Sequence, residues 1–346
     1  MRRGARGAVL SVVLAALVVG GVLLSAVVGQ LPIAPTEVLG SILRASGIPN
    51  GWAPTDPVIE SALWAVRFPR IGMALAVGAA LAVAGAVMQA VFGNPLAEPG
   101  VVGVSSGAAL GASVAIVLGI TAMGTGTIAM FAFFGGLGAT LLVYLVSRAN
   151  GRTEVVTLLL TGIAVNAFAG AGLAFLLFIA DSGGREQIVF WQLGSLNGSR
   201  WPEVGIVAGV TFAGTIVAFL LGRRYDILAL GERNARHLGV NVEGLRIGSI
   251  VLVALLTGAA VAFCGIIAFV GLVVPHAVRM LLGPSHRSLI VASAFGGGAL
   301  MLFADLLARS VVAGADLPIG LLTSLVGGPF FFFLLFRQRR RSGGWA

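Results

Sequence analysis

Apolar runs of about 20 residues follow one another along this chain, broken by short polar stretches. Each run is about long enough to cross a hydrocarbon core of roughly 30 Å as a helix. None alternates apolar and polar residues with the period of two that a half-buried strand requires. In lipid the backbone must satisfy its own hydrogen bonds, which leaves helices or closed barrels. Continuous apolar runs exclude the barrel. The pattern predicts an all-α polytopic membrane protein of about ten spans, at about 8–29, 70–91, 101–119, 127–147, 155–180, 204–222, 247–264, 266–282, 288–308 and 318–336. The seventh and eighth are nearly continuous and are divided at Cys264–Gly265. The expected organisation is one transmembrane domain over 1–346, with no separate soluble domain. One polar segment stands out, the arginine-rich loop Gly222 to Arg246.

The first run, Ala8 to Gly29, comes after MRRGARG and resembles a secretory leader in outline. It is longer than the usual 7–15 residue apolar region of a signal peptide and lacks a clear small-x-small cleavage site, so it reads as the first span. Glycine is abundant, at 51 residues, and is often spaced by four, as in Gly103, Gly107 and Gly111. Small residues at that spacing let helix backbones approach closely in a membrane. Gly327-Gly328-Pro329 in the last span is a candidate hinge.

Composition sharpens this picture. Hydrophobic residues make up 58 % of the chain and charged residues 10 %, against about a quarter charged in an ordinary soluble domain. The net charge of +9 is the balance of 22 arginines against 13 acidic residues, with no lysine. The arginines cluster at the ends of apolar runs, which reads as the positive-inside pattern rather than as a nucleic-acid surface. Threading the N-terminus inside leaves Arg44, Arg67, Arg70, Arg185, Arg200 and Arg309 outside and the other arginines, including the RQRRR tail, inside. Both termini are therefore expected in the cytoplasm.

The absence of lysine also removes the phosphate-binding P-loop, so the chain is not expected to hydrolyse ATP by itself. The single cysteine, Cys264, supports neither an intrachain disulfide nor a cysteine metal cluster. His237, His276 and His286 have no metal-ligand spacing and read as interfacial packing or hydrogen-bonding residues; no metal or cofactor is expected. Ion-coupled carriers use ionisable groups inside the membrane. The spans hold almost none. The main exception, Asp305, is four residues before Arg309, which places the two on one helix face as a neutralising pair. Scarcity of embedded charge argues against an ion-coupled carrier and for an external energy source.

Several motifs then converge. RFPRIGMALAVGAALAVAGAVMQAVFGNPLAEPGVVGVSSGAALGA (Arg67–Ala112) resembles the signature region of bacterial ABC-importer permeases for ferric siderophores, haem and vitamin B12. LALGERNARHLGV (Leu228–Val240) resembles that family's ATPase-coupling segment. AFVGLVVPHAVRMLLGPSHR (Ala268–Arg287) and ADLPIGLLTSLVGGPFFFFLL (Ala315–Leu335) are similar to its C-terminal motifs, in the same order. Two positions depart from the pattern. Ser285 replaces the usual acidic residue before the histidine of the G-x-D-H-R turn, and Asp316 stands where glutamate is commoner before Leu-Pro.

The resemblance implies a vitamin-B12-permease-like fold and a homodimer in the bacterial plasma membrane. A cytosolic ABC ATPase dimer would sit below it and an extracytoplasmic binding protein above. It assigns Arg67, Arg70 and Arg309 to docking of acidic residues on the binding protein, for which arginine's planar fork is suited. It assigns Leu230, Gly231, Glu232, Ala235, Arg236, Leu238 and Gly239 to ATPase coupling, with Gly231 to Gly239 forming a short helix that faces the partner. Thr161–Phe178 and Ile188–Trp201 look most like the haem-permease branch, while NPLAEPG is shared with vitamin B12 permeases. Haem or ferric siderophore is the expected cargo and vitamin B12 the alternative. Arg185 is a candidate contact for haem propionates.

Overall fold

The computed structural model describes residues 3–120, 126–149, 152–312 and 314–341. Arg2, expected on the inner side, lies outside them. The helices are α1 (Arg3–Val27), α2 (Pro35–Ala45), α3 (Pro57–Ser61), α4 (Phe68–Phe92), α5 (Val104–Val117), α6 (Gly126–Val146) and α7 (Val155–Ile179). They continue as α8 (Ser182–Leu193), α9 (Trp201–Leu228), α10 (Glu232–His237), α11 (Val242–Cys264), α12 (Val270–Leu282), α13 (His286–Ala308) and α14 (Ile319–Arg341). Among the described residues, strand is limited to a two-residue antiparallel ladder pairing Arg148 with Thr153 and Ala149 with Arg152.

The centre of the bundle is α4. It is apolar on every face and buried on nearly every face, as an all-round apolar helix in a core should be. Helices α13, α9, α11 and α12 pack around it. Glycine decides how closely they come. A Cβ on Gly78 would stand 2.2 Å from the Gly297 carbonyl oxygen of α13, and one on Gly85 would stand 1.8 Å from the Gly271 carbonyl of α12. These are backbone-to-backbone seams that no side chain fits. The spaced glycines of α5 do the same work, since Gly107 and Gly111 face the backbone of α6 at Gly135 and Phe131. Gly327 packs onto the ring of Phe269.

All ten apolar segments are helical, but they are unequal. Among the described residues, seven are long and apolar enough to cross a membrane. The other three, Val104–Val117, Val270–Leu282 and Ile319–Phe333, are shorter. At 1.5 Å per residue the 14 residues of α5 rise only about 21 Å. A 3₁₀ turn over Pro99–Val102 precedes α5, and four non-helical residues after Gly265 precede the residue that opens α12.

Several boundaries move. The second span runs unbroken from Pro57 to Phe92 through a π-helical turn, Ala62–Arg67, so it begins well before the expected residue 70. Helix α9 reaches Leu228 and α11 starts at Val242, which reduces the polar loop expected over 222–246 to the segment around α10. The division at Cys264–Gly265 is where α11 ends, with Gly265 at φ 69°. Short helices α2 and α8 lie in segments that carried no apolar run of spanning length, whereas α3 is the first turn of the lengthened second span.

Candidate functional site

Helices α4 and α9 both start at one end of the bundle and finish at the other, and each end carries one set of the expected residues. At the first end the last turn of α1 presents carbonyls without intrahelical partners. Arg67 donates to the carbonyls of Ala26, Val27 and Leu31. Arg309 donates to the carbonyl and hydroxyl of Ser25 at 2.8 and 2.7 Å. Cations at a helix C-terminus also meet the negative end of its dipole. Gly29 leaves room for both, because a Cβ there would stand 2.9 Å from an Arg67 nitrogen. Arg70 lies alongside and joins two carboxylates, Asp305 at 2.8 Å and Asp316 at 2.7 Å.

The three arginines singled out from sequence are thus brought together, with their guanidiniums engaged inside the chain. Arg67 and Arg70 are buried, at 6 % and 8 % exposure. The Asp305–Arg309 pair is present but long, at 3.5 Å, so the main partner of Asp305 is Arg70, 235 residues away in sequence. Sequence reasoning missed this pairing, as well as the role of Asp316, which it noted only as a substitution for glutamate. Burial of the Arg309 guanidinium holds its pKa below the usual arginine range, with Asp305 opposing.

At the other end, α10 is a single projecting turn and a half. Gly231 at φ 98° and Gly239 at φ 81° bracket it in backbone conformations that favour glycine. Leu230 and Leu238 are exposed, each at 61 %. Glu232 and Arg236 form an exposed pair one turn apart at 3.1 Å, and Glu232 also accepts from Arg246 on α11, which tethers α10 to the bundle. Ala235 is fully buried, packed against the chain's own core. The short helix is where the sequence put it, but Ala235 is its anchor and does not face outward. Its Cβ lies on the inner side of α10, while Arg233, Asn234 and Leu238 lie on the outer side. Beside it, Asp226 near the end of α9 accepts from both the backbone N–H and the ring Nδ1 of His286 at the start of α13, at 2.9 and 2.8 Å. That agrees with the hydrogen-bonding role expected for this histidine.

Between the ends, α7 is apolar all round yet packs only one side against α5 and α6, leaving Leu160, Ile163, Phe168, Phe175 and Phe178 exposed. Asn166 accepts from Ser106 at 2.5 Å, beside a recess of about 300 Å³ that Gln192 and Ser105 also line. Asn166 lies in the haem-like segment but gave no signal of its own, since one amide in an apolar run is as often structural. Arg185 sits on α8, exposed, with its Nε donating to the Ala180 carbonyl at 2.9 Å. Glu98, in the loop before α5, accepts from the backbone N–H of Phe269 at 2.9 Å; burial pushes its carboxyl pKa up, against that hydrogen bond. Phe269 has φ 68°, the one non-glycine residue with positive φ among those described. Among the described residues no group of three or more His, Cys, Asp or Glu could hold a metal ion.

Residues 16–337 match the FecCD transport family. The hemin transport system permease protein HmuU of Yersinia pestis is 42 % identical over 270 residues, covering 77 % of this chain and 80 % of HmuU. The cobalamin import system permease protein BtuC of Halobacterium salinarum is also 42 % identical, over 268 residues, covering 77 % of this chain and 70 % of that protein. The Fe(3+)-citrate import system permease protein YfmD of Bacillus subtilis is 37 % identical, covering 77 % and 78 %. A solved structure of a metal-chelate type ABC transporter in an inward-facing conformation superposes with a TM-score of 0.82 at 33 % identity, over 94 % of this chain and 97 % of that one. A match across nearly the whole chain, joined to a helix bundle of the same shape, decides the matter: this chain belongs to the FecCD transport family, the multi-pass permeases of ABC importers.

Proposed function

We propose that the chain is the permease subunit of an ATP-driven importer that carries haem or a ferric siderophore into the bacterial cytoplasm as a homodimer. A separate ABC ATPase dimer engages α10, and an extracytoplasmic binding protein delivers cargo to the opposite end. Both termini then lie in the cytoplasm. The observation that carries this reading is α10 itself. It is a helix too short to be stable alone, held by Ala235 and the Glu232–Arg246 tether, that turns Leu230 and Leu238 toward solvent. Exposed leucines on a charged, rigidly mounted knob suit a protein cleft. The test is uptake into proteoliposomes that hold the ATPase, with ATP on the α10 side. Uptake that needs neither ATP nor ATPase would sink the proposal.

The cargo reading rests on the haem-like segments Thr161–Phe178 and Ile188–Trp201, with Arg185 between them as the candidate propionate contact. The cobalamin permease matches at the same identity as the hemin permease, so vitamin B12 stays the rival cargo. Absorbance and mass of the ligand co-purifying with the cognate binding protein separate them. An ion-coupled carrier is disfavoured because Asp305 is held between Arg70 and Arg309. Docking of the binding protein by Arg67, Arg70 and Arg309 requires an acidic side chain to compete for groups already engaged. Arg70 is the most open to this, because Asp316, its second carboxylate, is 21 % exposed.

A further inference from the structure

Helices α1 and α9 both lie against α13 at the end of the bundle that carries α10. The gap between them is a groove of about 890 Å³, open to the outside of the bundle. Its lining changes character along its length. At the α10 end are Arg287, Ser285 and Ser288, all exposed. Val291 of α13 is about one turn deeper than Arg287 and Phe295 about two, with Leu14 of α1 facing them across the groove. The direction is fixed by packing: Gly7 of α1 lies beside Leu282 near the mouth, and Leu14 lies beside Gly296 further in. At 1.5 Å per residue the groove tracks the two helices for roughly 10 Å.

The polar end is cationic and lacks a counter-ion. The Arg287 guanidinium carbon sits 5.2 Å from the centroid of the Phe219 ring, which holds the fork against the α9 wall and leaves its edge donors open. Among the described residues no carboxylate pairs with it. Arg223, exposed, is one turn beyond Phe219 on the same face of α9.

We propose that this groove binds one anionic phospholipid, with its phosphate on Arg287 and an acyl chain running inward past Leu14 and Phe295. Charge selects the occupant. A zwitterionic headgroup brings its own cation toward Arg287 and Arg223, whereas an anionic one supplies the missing negative charge. A second copy of this chain is a poorer fit, because at a net charge of +9 it brings further arginines, not the missing negative charge, to a cationic mouth. A lipid here would meet Ser285 and Arg287, the chain neighbours of His286, which does not line the groove itself but joins α13 to Asp226 of α9. Its effect on transport rests on the coupling role proposed for α10; the binding site does not.

The test uses the purified full chain, stripped of lipid in detergent and offered phosphatidylglycerol or phosphatidylcholine, with bound lipid counted by native mass spectrometry. The wild type should retain phosphatidylglycerol in preference to phosphatidylcholine, and millimolar inorganic phosphate should not displace it. Arg287→Gln should lower phosphatidylglycerol retention about fivefold, the worth of one basic residue at a membrane surface. Arg287→Lys should keep most of the preference. Ala15→Trp, which fills the groove from an exposed position on α1, should abolish retention of the tightly held lipid. Circular dichroism and gel filtration establish that each variant is folded. Equal retention of the two lipids by the wild type, or undiminished phosphatidylglycerol on folded Arg287→Gln or Ala15→Trp, would overturn the proposal.

Discussion

Asp305 is the residue on which the first end of the bundle turns. It is 1 % exposed, sits near the end of a span, and is neutralised by Arg70 from α4 and Arg309 from its own helix. Removing one partner of a buried ion pair leaves an uncompensated charge, at a cost of about 3–5 kcal/mol. Asp305→Asn should therefore lower the unfolding temperature of the detergent-solubilised chain by several degrees. Arg70 retains Asp316, so the loss should stop short of complete unfolding. An unchanged transition would mean the pair is electrostatically idle. The docking proposal belongs to the same residues. Arg67→Gln, Arg70→Gln and Arg309→Gln should each weaken association with the binding protein about tenfold at low salt, with the difference shrinking as salt is raised. Equal affinity across all three, with the permease folded, would leave them as caps of α1 and partners of Asp305.

At the scale of elements, the two sides of α10 make opposite predictions. Ala235 is packed inward, so Ala235→Glu places a charge against the core and should dislodge α10 and lower thermal stability as well as uptake. Leu238 points outward, so Leu238→Asp should abolish co-purification of the ATPase while leaving the unfolding temperature of the permease close to that of the wild type. If both variants lose stability, or neither loses the ATPase, the assignment of inner and outer sides is wrong. The α4–α13 seam gives a second case. With 2.2 Å between a Cβ on Gly78 and the Gly297 carbonyl, Gly78→Val cannot be accommodated without parting two backbones. It should reduce recovery of folded protein severely, whereas Gly205→Ala on the open side of α9, where a Cβ meets nothing within 4 Å, should be tolerated.

For the whole molecule, the prediction concerns energy. The spans carry few charges, and the one well-buried carboxylate noted from sequence is tied to two arginines. Uptake in liposomes should stop when ATP or the partner ATPase is withheld, and should persist when ionophores collapse proton and sodium gradients. Accumulation of haem by the permease alone, driven by a proton gradient, would overturn the proposed mechanism.

By itself the sequence determined the features that local pattern and motif encode. Apolar runs of spanning length marked ten helical segments, the resemblance of LALGERNARHLGV to a coupling segment marked the short helix between α9 and α11, and ordered motifs pointed to the permease family. Tertiary structure alone decided which of those helices is central. Helices α4 and α7 are both apolar all round, yet α4 is enclosed and α7 is largely open, because lipid and protein are equally apolar neighbours. It also decided the partner of Asp305. The (i, i+4) rule sees only Arg309, whereas packing α13 against α4 brings Arg70 to 2.8 Å. For the same reason Ala235 could not be assigned an inner side from sequence, since a six-residue helix has too few turns for its pattern to show which face meets the bundle. Residues adjacent in the chain announce themselves through periodicity; those brought together by the packing of helices do not.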